Sequence, residues 1–238
     1  MRRRFFVERF EGARAALCGE AAQHLGRVLR AAPGQLYELS DGQAVWLARV
    51  EGVECDAVEF ALVEQVPVNE PTLRITLLLS IIKFDRFEWC LEKATELGVD
   101  EIVPLAAMRS EKVLIAAAAK RVVRWEKILR ESAQQSRRLR PPALRAPLRP
   151  VKAFGDSQAL LKIFLSEDSS VPHLRKAIRS LAGEWATLAI GPEGGWTDAE
   201  VAAARGAGFA EASLGGNILR TETAVMAALA MLNYALGD

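Results

Sequence analysis

The sequence is poor in the residues that build metal centres and disulfide frameworks. It has only three cysteines, Cys18, Cys55 and Cys90, widely separated and without the spacing of a zinc site. That pattern excludes a disulfide-stapled scaffold and leads us to expect a reduced, cytoplasmic setting. Its two histidines, His24 and His173, stand alone, so no metal is expected. An excess of charge is missing too: the formal net charge is +1, so any affinity for nucleic acid has to come from local clustering. No apolar run reaches the roughly eighteen residues of a membrane span. Met1-Arg2-Arg3-Arg4 is followed by Phe5-Phe6-Val7-Glu8, too short for a signal-peptide core. Neither a Walker phosphate loop nor a G-x-G-x-x-G fingerprint is present, which disfavours a nicotinamide-dependent enzyme.

Half of the residues are hydrophobic, enough for the cores of two modest domains. Residues 1–66 read as a small β domain. Gln35 to Leu39 and Ala44 to Val50 are strand-like runs around Ser40-Asp41-Gly42-Gln43, a strong hairpin signal, and Ala57 to Val66 is a third strand. Ahead of them, Ala21 to Arg30 predicts a short helix stopped by Pro33-Gly34, with His24, Arg27 and Arg30 at three-residue spacing on one face. Pro67-Val68-Asn69-Glu70-Pro71 is an extended linker. The expected domains are therefore 1–69 and 72–238.

Leu73 to Ile82 reads as a strand buried on both faces. Asp85 is placed to cap a helix carrying Phe87, Leu91, Ala94 and Leu97 up to Gly98, and Val99 to Leu105 is the next strand. Strand, helix, strand is the signature of a parallel α/β sheet. A helix over 118–138 follows. Past Glu131 come Arg137, Arg138, Arg140, Arg145, Arg149 and Lys152 with no acid before Asp156, a run expected to escape local neutralisation and to present a patch for phosphates. Ile163 to Leu165 is a strand, Pro172 to about Leu181 a helix, and Leu188 to Ile190 another strand.

Two glycine-marked loops then organise the C-terminal part. The first is Gly191-Pro192-Glu193-Gly194-Gly195, and Thr197-x-x-Glu200 after it forms a capping box. The second, Leu214-Gly215-Gly216-Asn217-Ile218-Leu219-Arg220, leads through Thr221-Glu222-Thr223 into an alanine-rich helix. Glycine lets backbone turn sharply or approach a ligand, and ligands of open α/β sheets gather at the carboxyl ends of strands.

Taken together, IGPEGG followed by LG-x-x-ILRTETA resembles the bacterial family of 16S rRNA uridine-N3 methyltransferases of the SPOUT superfamily. KATELG at Lys93 to Gly98, Arg109-Ser110, Arg124-Trp125, QQSRR at Gln134 to Arg138 and H-x-x-x-V-L-R from His24 extend the likeness. The resemblance implies a PUA-like RNA-binding β-barrel, then a SPOUT domain whose C-terminal helix is threaded through a deep trefoil knot and pairs in a homodimer. It implies S-adenosylmethionine as cofactor, held by Leu165, Ser166, Gly191, Pro192, Glu193, Gly194, Gly195, Leu214, Gly215, Gly216, Ile218, Leu219, Arg220 and Thr221. The substrate would be a uridine in the decoding region of 16S rRNA, within the small ribosomal subunit, and Arg27, Arg30, Arg137, Arg138, Arg140 and Arg145 would be its RNA contacts.

Methyl transfer to uridine N3 needs in-line alignment and a way to handle the N3 proton. Arg220 and Glu222 are the candidates for stabilising the uridine anion and accepting that proton, unless Arg220 merely pairs with Glu222 or Glu193. Two departures from the family pattern stand out. Phe84 follows Lys83 where members have glycine, and Gly216-Asn217 replaces Pro-Arg, which removes a positive charge from the second loop. Rival readings are a ribose 2′-O methyltransferase, which would end in a serine-asparagine motif, and a non-catalytic ribosome-assembly factor, which need not keep both glycine loops.

Overall fold

The computed structural model describes residues 3–69, 71–168, 170–179 and 184–237. The chain divides into two units, Met1–Glu70 with Ala133–Pro141, and Pro71–Ser132 with Pro142–Asp238. A single cut at the proline linker does not describe this division, because residues 133–141 return to the first unit.

In the first unit, β1 (Arg4–Phe6), β2 (Arg14–Cys18), β3 (Leu36–Ser40), β4 (Val45–Val53) and β5 (Ala57–Val66) form a mixed sheet in the order β1-β3-β4-β5-β2. The β3–β4 hairpin forms at Asp41-Gly42, where Asp41 Oδ1 accepts from the amides of Gln43 and Ala44 at 2.9 Å and Gly42 takes a φ of 85°. Phe5, Leu17, Leu25, Leu39, Val50 and Phe60 fill the core. The expected helix over Ala21 to Arg30 is corrected. Here α1 (Gly19–Gln23) runs into a π-helical turn over His24–Val28, closed by the Leu29 amide on the His24 carbonyl at 3.1 Å. That wider turn ends the helix early. Arg30 lies beyond it with a left-handed φ of 51°, so His24, Arg27 and Arg30 do not share a helical face.

The returning segment is fastened by polar contacts. Arg4 and Glu38 form a buried ion pair at 2.9 Å, Arg4 also donates to the Arg137 carbonyl, and the Ser40 hydroxyl donates to the Leu139 carbonyl at 2.6 Å. Arg137 has a φ of 56°, a conformation that non-glycine residues adopt rarely and that turns the chain here.

The second unit is an all-parallel sheet in the order β11-β9-β10-β6-β7-β8. Its strands are β6 (Arg74–Ser80), β7 (Glu101–Leu105), β8 (Ala143–Leu144), β9 (Leu161–Leu165), β10 (Trp185–Ile190) and β11 (Ala210–Ala212). Alternation assigns the two faces. Ile75, Leu77, Leu79, Ile163 and Leu188 point to one core, and Leu78, Phe164 and Ala189 to the other. The first face is covered by α2 (Phe84–Glu96), α4 (Val122–Gln135), α6 (Leu174–Arg179) and α8 (Thr221–Leu236), reached in chain order through α3 (Lys112–Ala118). The opposite face carries α5 (Pro150–Asp156) and α7 (Asp198–Gly206). Trp125 is fully buried against Phe84 and Phe87.

Several boundaries differ from the sequence reading. Helix α2 begins at Phe84, so Lys83 holds the N-cap position and Asp85 sits inside the first turn, where its charge still complements the helix dipole. The helix expected over 118–138 stops at Gln135, ahead of the left-handed Arg137. The end of the helix expected to reach Leu181 lies outside the described residues.

Candidate functional site

Because every strand pair in the second sheet is parallel, all the loops leaving its strands emerge along one edge. The chain runs outward from β6 through β7 to β8, then crosses to β9 and fills β10 between β9 and β6. The strand order reverses there, at the position where α/β sheets open a crevice for ligands. The loops after β6, β9, β10 and β11 meet this edge.

The first loop is folded tightly on protein. The Gly195 amide donates to the Pro192 carbonyl at 2.8 Å, closing a turn in which Gly195 has a φ of 69°. A Cβ at Gly191 would stand 3.0 Å from the Trp196 indole, and one at Gly194 would stand 3.2 Å from Arg109 Cβ. Protein packing therefore already crowds the Cβ positions of those two glycines, in addition to the sharp turn or ligand approach that the sequence suggests. Trp196 Nε1 donates to the Leu165 carbonyl at 2.8 Å, and the Ser166 amide donates to the Ala212 carbonyl at 2.9 Å.

The second loop is different. Gly215 has a φ of 127°, with only His173 Nε2 within reach of a Cβ at 3.8 Å, and a Cβ at Gly216 would meet nothing within 4 Å. Gly215, Gly216 and Ile218 are exposed, and Thr221 is buried at the start of α8. His173 is brought to this loop by its bridge to Ser213.

The capping box on α7 is present, with Thr197 and Glu200 bonded reciprocally. Glu200 is buried, and its second oxygen accepts from the Met108 amide at 2.9 Å. Arg109 Nη1 donates to the Gly194 carbonyl at 2.9 Å, so residues 108–109 are clamped onto the first loop.

Charge at the edge is arranged around Arg86, in the first turn of α2. Arg86 pairs with Glu193, and its Nε lies 4.0 Å from Glu222 Oε1. Glu222 Oε2 is buried without a hydrogen-bond partner among the described residues. Arg220, at the N-cap of α8, is exposed and forms no ion pair among the described residues, so the pairing with Glu222 or Glu193 falls to Arg86 instead. Burial, with the Glu222 carboxylate adding to it, pushes the Cys90 thiol from 9.0 up to about 12. No group of three or more His, Cys, Asp or Glu side chains able to hold a metal occurs among the described residues.

The basic run is partly neutralised, contrary to the expectation drawn from neighbouring residues alone. Arg145 pairs with Glu101, Lys152 with Asp156, and Arg137 Nη1 lies 4.0 Å from Glu38. Arg140 donates to the Gly42 carbonyl at 3.1 Å. Arg27 donates to Cys55 Sγ at 2.9 Å and forms no ion pair among the described residues. Arg27, Arg137, Arg138 and Arg140 all belong to the first unit and Arg145 to the second.

Sequence reasoning missed Arg86, Arg109, Trp196 and the second bond of Glu200. Arg86 and Arg109 lie inside or beside family-like strings, which was the one available signal.

Comparison with known proteins agrees with this architecture. Residues 69–233 match the family model described as an RNA methyltransferase domain. The ribosomal RNA small subunit methyltransferase E of Synechocystis sp. is 34% identical over 90% of this chain and 70% of that protein. Its Bacillus subtilis counterpart is 30% identical over 92% of this chain and 89% of that protein. The crystal structure of a ribosomal RNA small subunit methyltransferase E from Neisseria gonorrhoeae, bound to S-adenosyl methionine, superposes with a TM-score of 0.90 at 32% identity, covering 100% of this chain and 99% of that one. With a family model spanning both glycine loops and relatives aligned along nearly the whole chain, the protein belongs to the RNA methyltransferase domain family, among its small-subunit ribosomal RNA methyltransferase E members.

Proposed function

We propose that this protein transfers a methyl group from S-adenosylmethionine to N3 of a uridine in 16S ribosomal RNA, in the decoding region of the small subunit. The observation that carries the reading is the second glycine loop. It is a bare backbone cradle following β11, on the edge of the parallel sheet where the strand-leaving loops emerge, in a fold shared with a neighbour solved with that cofactor. A side chain at Gly216 would project into open space there, so the cradle fits a ligand pressed against main chain. Leu165, Ser166, residues 191–195, Leu214, Gly215, Gly216, Ile218, Leu219, Arg220 and Thr221 would hold the cofactor. When bound, S-adenosylmethionine supplies an electrophilic methyl carbon on a sulfonium sulfur.

The chain's own residues then supply orientation and charge. The guanidinium of Arg220, exposed and without an ion pair among the described residues, is available to stabilise negative charge on the uracil ring as N3 loses its proton. Glu222, with one buried oxygen lacking a hydrogen-bond partner among the described residues, is the group to accept that proton. The exposed Arg27, Arg30, Arg137, Arg140 and Arg145, together with the half-buried Arg138, are the proposed RNA contacts, with the first unit acting as a PUA-like reader.

The same reading includes a trefoil knot and a homodimer. From α7 on one face of the sheet the chain passes through β11 and the segment 213–220 to α8 on the other, a path compatible with the threading of a trefoil knot. Met231 and Tyr234 on α8 and Trp89 on α2 are large exposed apolar side chains, which supports a homodimer through the second unit. A cytoplasmic location is part of the same reading.

Primer extension on small-subunit ribosomal RNA tests the function, because a methyl on N3 blocks base pairing. A stop present in wild-type cells should vanish in cells lacking the protein. An identical stop pattern in both would reject the assignment. Failure to bind S-adenosylmethionine would favour an assembly factor, and a modified ribose would favour 2′-O transfer.

A further inference from the structure

Glu193 in the first glycine loop and Glu222 in the first turn of α8 share one cation, Arg86. Arg86 reaches them from α2 with a side chain 30% exposed, while Glu222 is nearly covered at 14%. Arg220 stands two residues before Glu222 and remains exposed without an ion pair among the described residues. Arg220 is only two positions from Glu222 along the chain, and a carboxylate left without a partner attracts a nearby guanidinium. A guanidinium with several donors in a planar fork can occupy both carboxylates at once.

We propose that Arg86 is a positioning residue that engages Glu193 and Glu222 and thereby keeps Arg220 unpaired for the anionic uracil ring. The inference rests on the role given to Arg220 above. Without Arg86, Glu193 and Glu222 are free to capture Arg220, which blocks charge stabilisation while leaving the main-chain cradle intact.

The test is single-turnover methylation of small ribosomal subunits purified from cells lacking the protein, at saturating S-adenosylmethionine, with cofactor affinity measured in parallel by calorimetry. Arg86→Gln should slow turnover by about tenfold or more while changing cofactor Kd by less than about threefold. Arg86→Gln/Glu193→Gln should recover a substantial part of the lost rate, because one competing acid is gone. Arg86→Lys, which keeps the charge and serves if the glutamine variant does not fold, should stay within about threefold of wild type. A wild-type rate for Arg86→Gln overturns the proposal. So does a double variant as slow as the single one, or Arg86→Lys slowed tenfold or more, since a purely structural role predicts no rescue by removing an acid. Arg220→Gln separates the two levels. If it turns over normally, the role of Arg220 itself fails; if it is slow while Arg86→Gln is fast, only the role of Arg86 fails.

Discussion

The indole of Trp196 occupies the space that a side chain on Gly191 would need, with Nε1 3.0 Å from where a Cβ would stand. The same nitrogen holds the Leu165 carbonyl, so the ring cannot swing away without losing a hydrogen bond between two of the site's loops. Gly191→Ala is therefore expected to lower stability by about 1–3 kcal/mol through overpacking. Gly216→Ala should melt like wild type and lose cofactor affinity instead. Urea denaturation and calorimetry on the two variants distinguish these outcomes, and equal behaviour would contradict the division of roles between the loops.

Arg4 and Glu38 make a second test, in the first unit. Their side chains are only 8% and 10% exposed, so removing one partner leaves the other charge buried. Glu38→Gln should cost about 3–5 kcal/mol of stability, and Arg4→Met/Glu38→Leu should recover most of it. Chemical denaturation of the three proteins reads this directly. A neutral effect of Glu38→Gln would mean that the pair is hydrated in solution.

The arginines differ in what cancels them. A carboxylate faces Arg145, whereas Arg27 donates to Cys55 Sγ and has no carboxylate partner among the described residues. Replacing Arg27 by Gln should reduce the slope of log affinity against log salt for RNA by about one, and Arg145→Gln should change it by less. Filter binding at several salt concentrations measures both. Equal slope changes would show that Glu101 releases Arg145 when RNA binds.

Cys90 predicts a specific alkaline weakness. Its thiol titrates at about 12 in the folded chain and 9.0 in the unfolded one, so the unfolded state loses the proton first as pH rises. The contribution to stability is intact below pH 9 and is lost progressively from there towards 12. Urea midpoints should fall as the pH rises above about 9, and Cys90→Ala should flatten that fall. In the native protein a thiol reagent should reach the exposed Cys18 and Cys55 and spare Cys90.

Much of the framework was legible because its signals are local. The apolar run at Leu73 to Ile82 contains β6, the Asp41-Gly42 turn joins β3 to β4, and Thr197 with Glu200 caps α7. The missed elements were too short for periodicity to register, since β8 spans Ala143–Leu144 and β11 spans Ala210–Ala212. The site was legible as loops and illegible as contacts. Glu38 reaches Arg137 from far up the chain and Arg86 reaches Glu193 likewise, so counting charges among neighbours along the sequence judged the basic run unpaired and offered Glu193 only Arg220 as a partner. Arg30 was misplaced because a π-helical turn leaves no pattern distinct from an ordinary helix end.

The return of residues 133–141 to the first unit has a consequence for the order of events at the ribosome that makes this protein. Chains usually set domain by domain from the N-terminus as they emerge. Here the carbonyls that Arg4 and Ser40 hold belong to Arg137 and Leu139, which are synthesised only after β6, α2, β7 and α3. Until then the β unit has emerged with a buried-type charge half satisfied and a hydroxyl still waiting for its acceptor. Its final closure therefore falls in the middle of the second unit's synthesis, and the two units mature as overlapping steps of one assembly line.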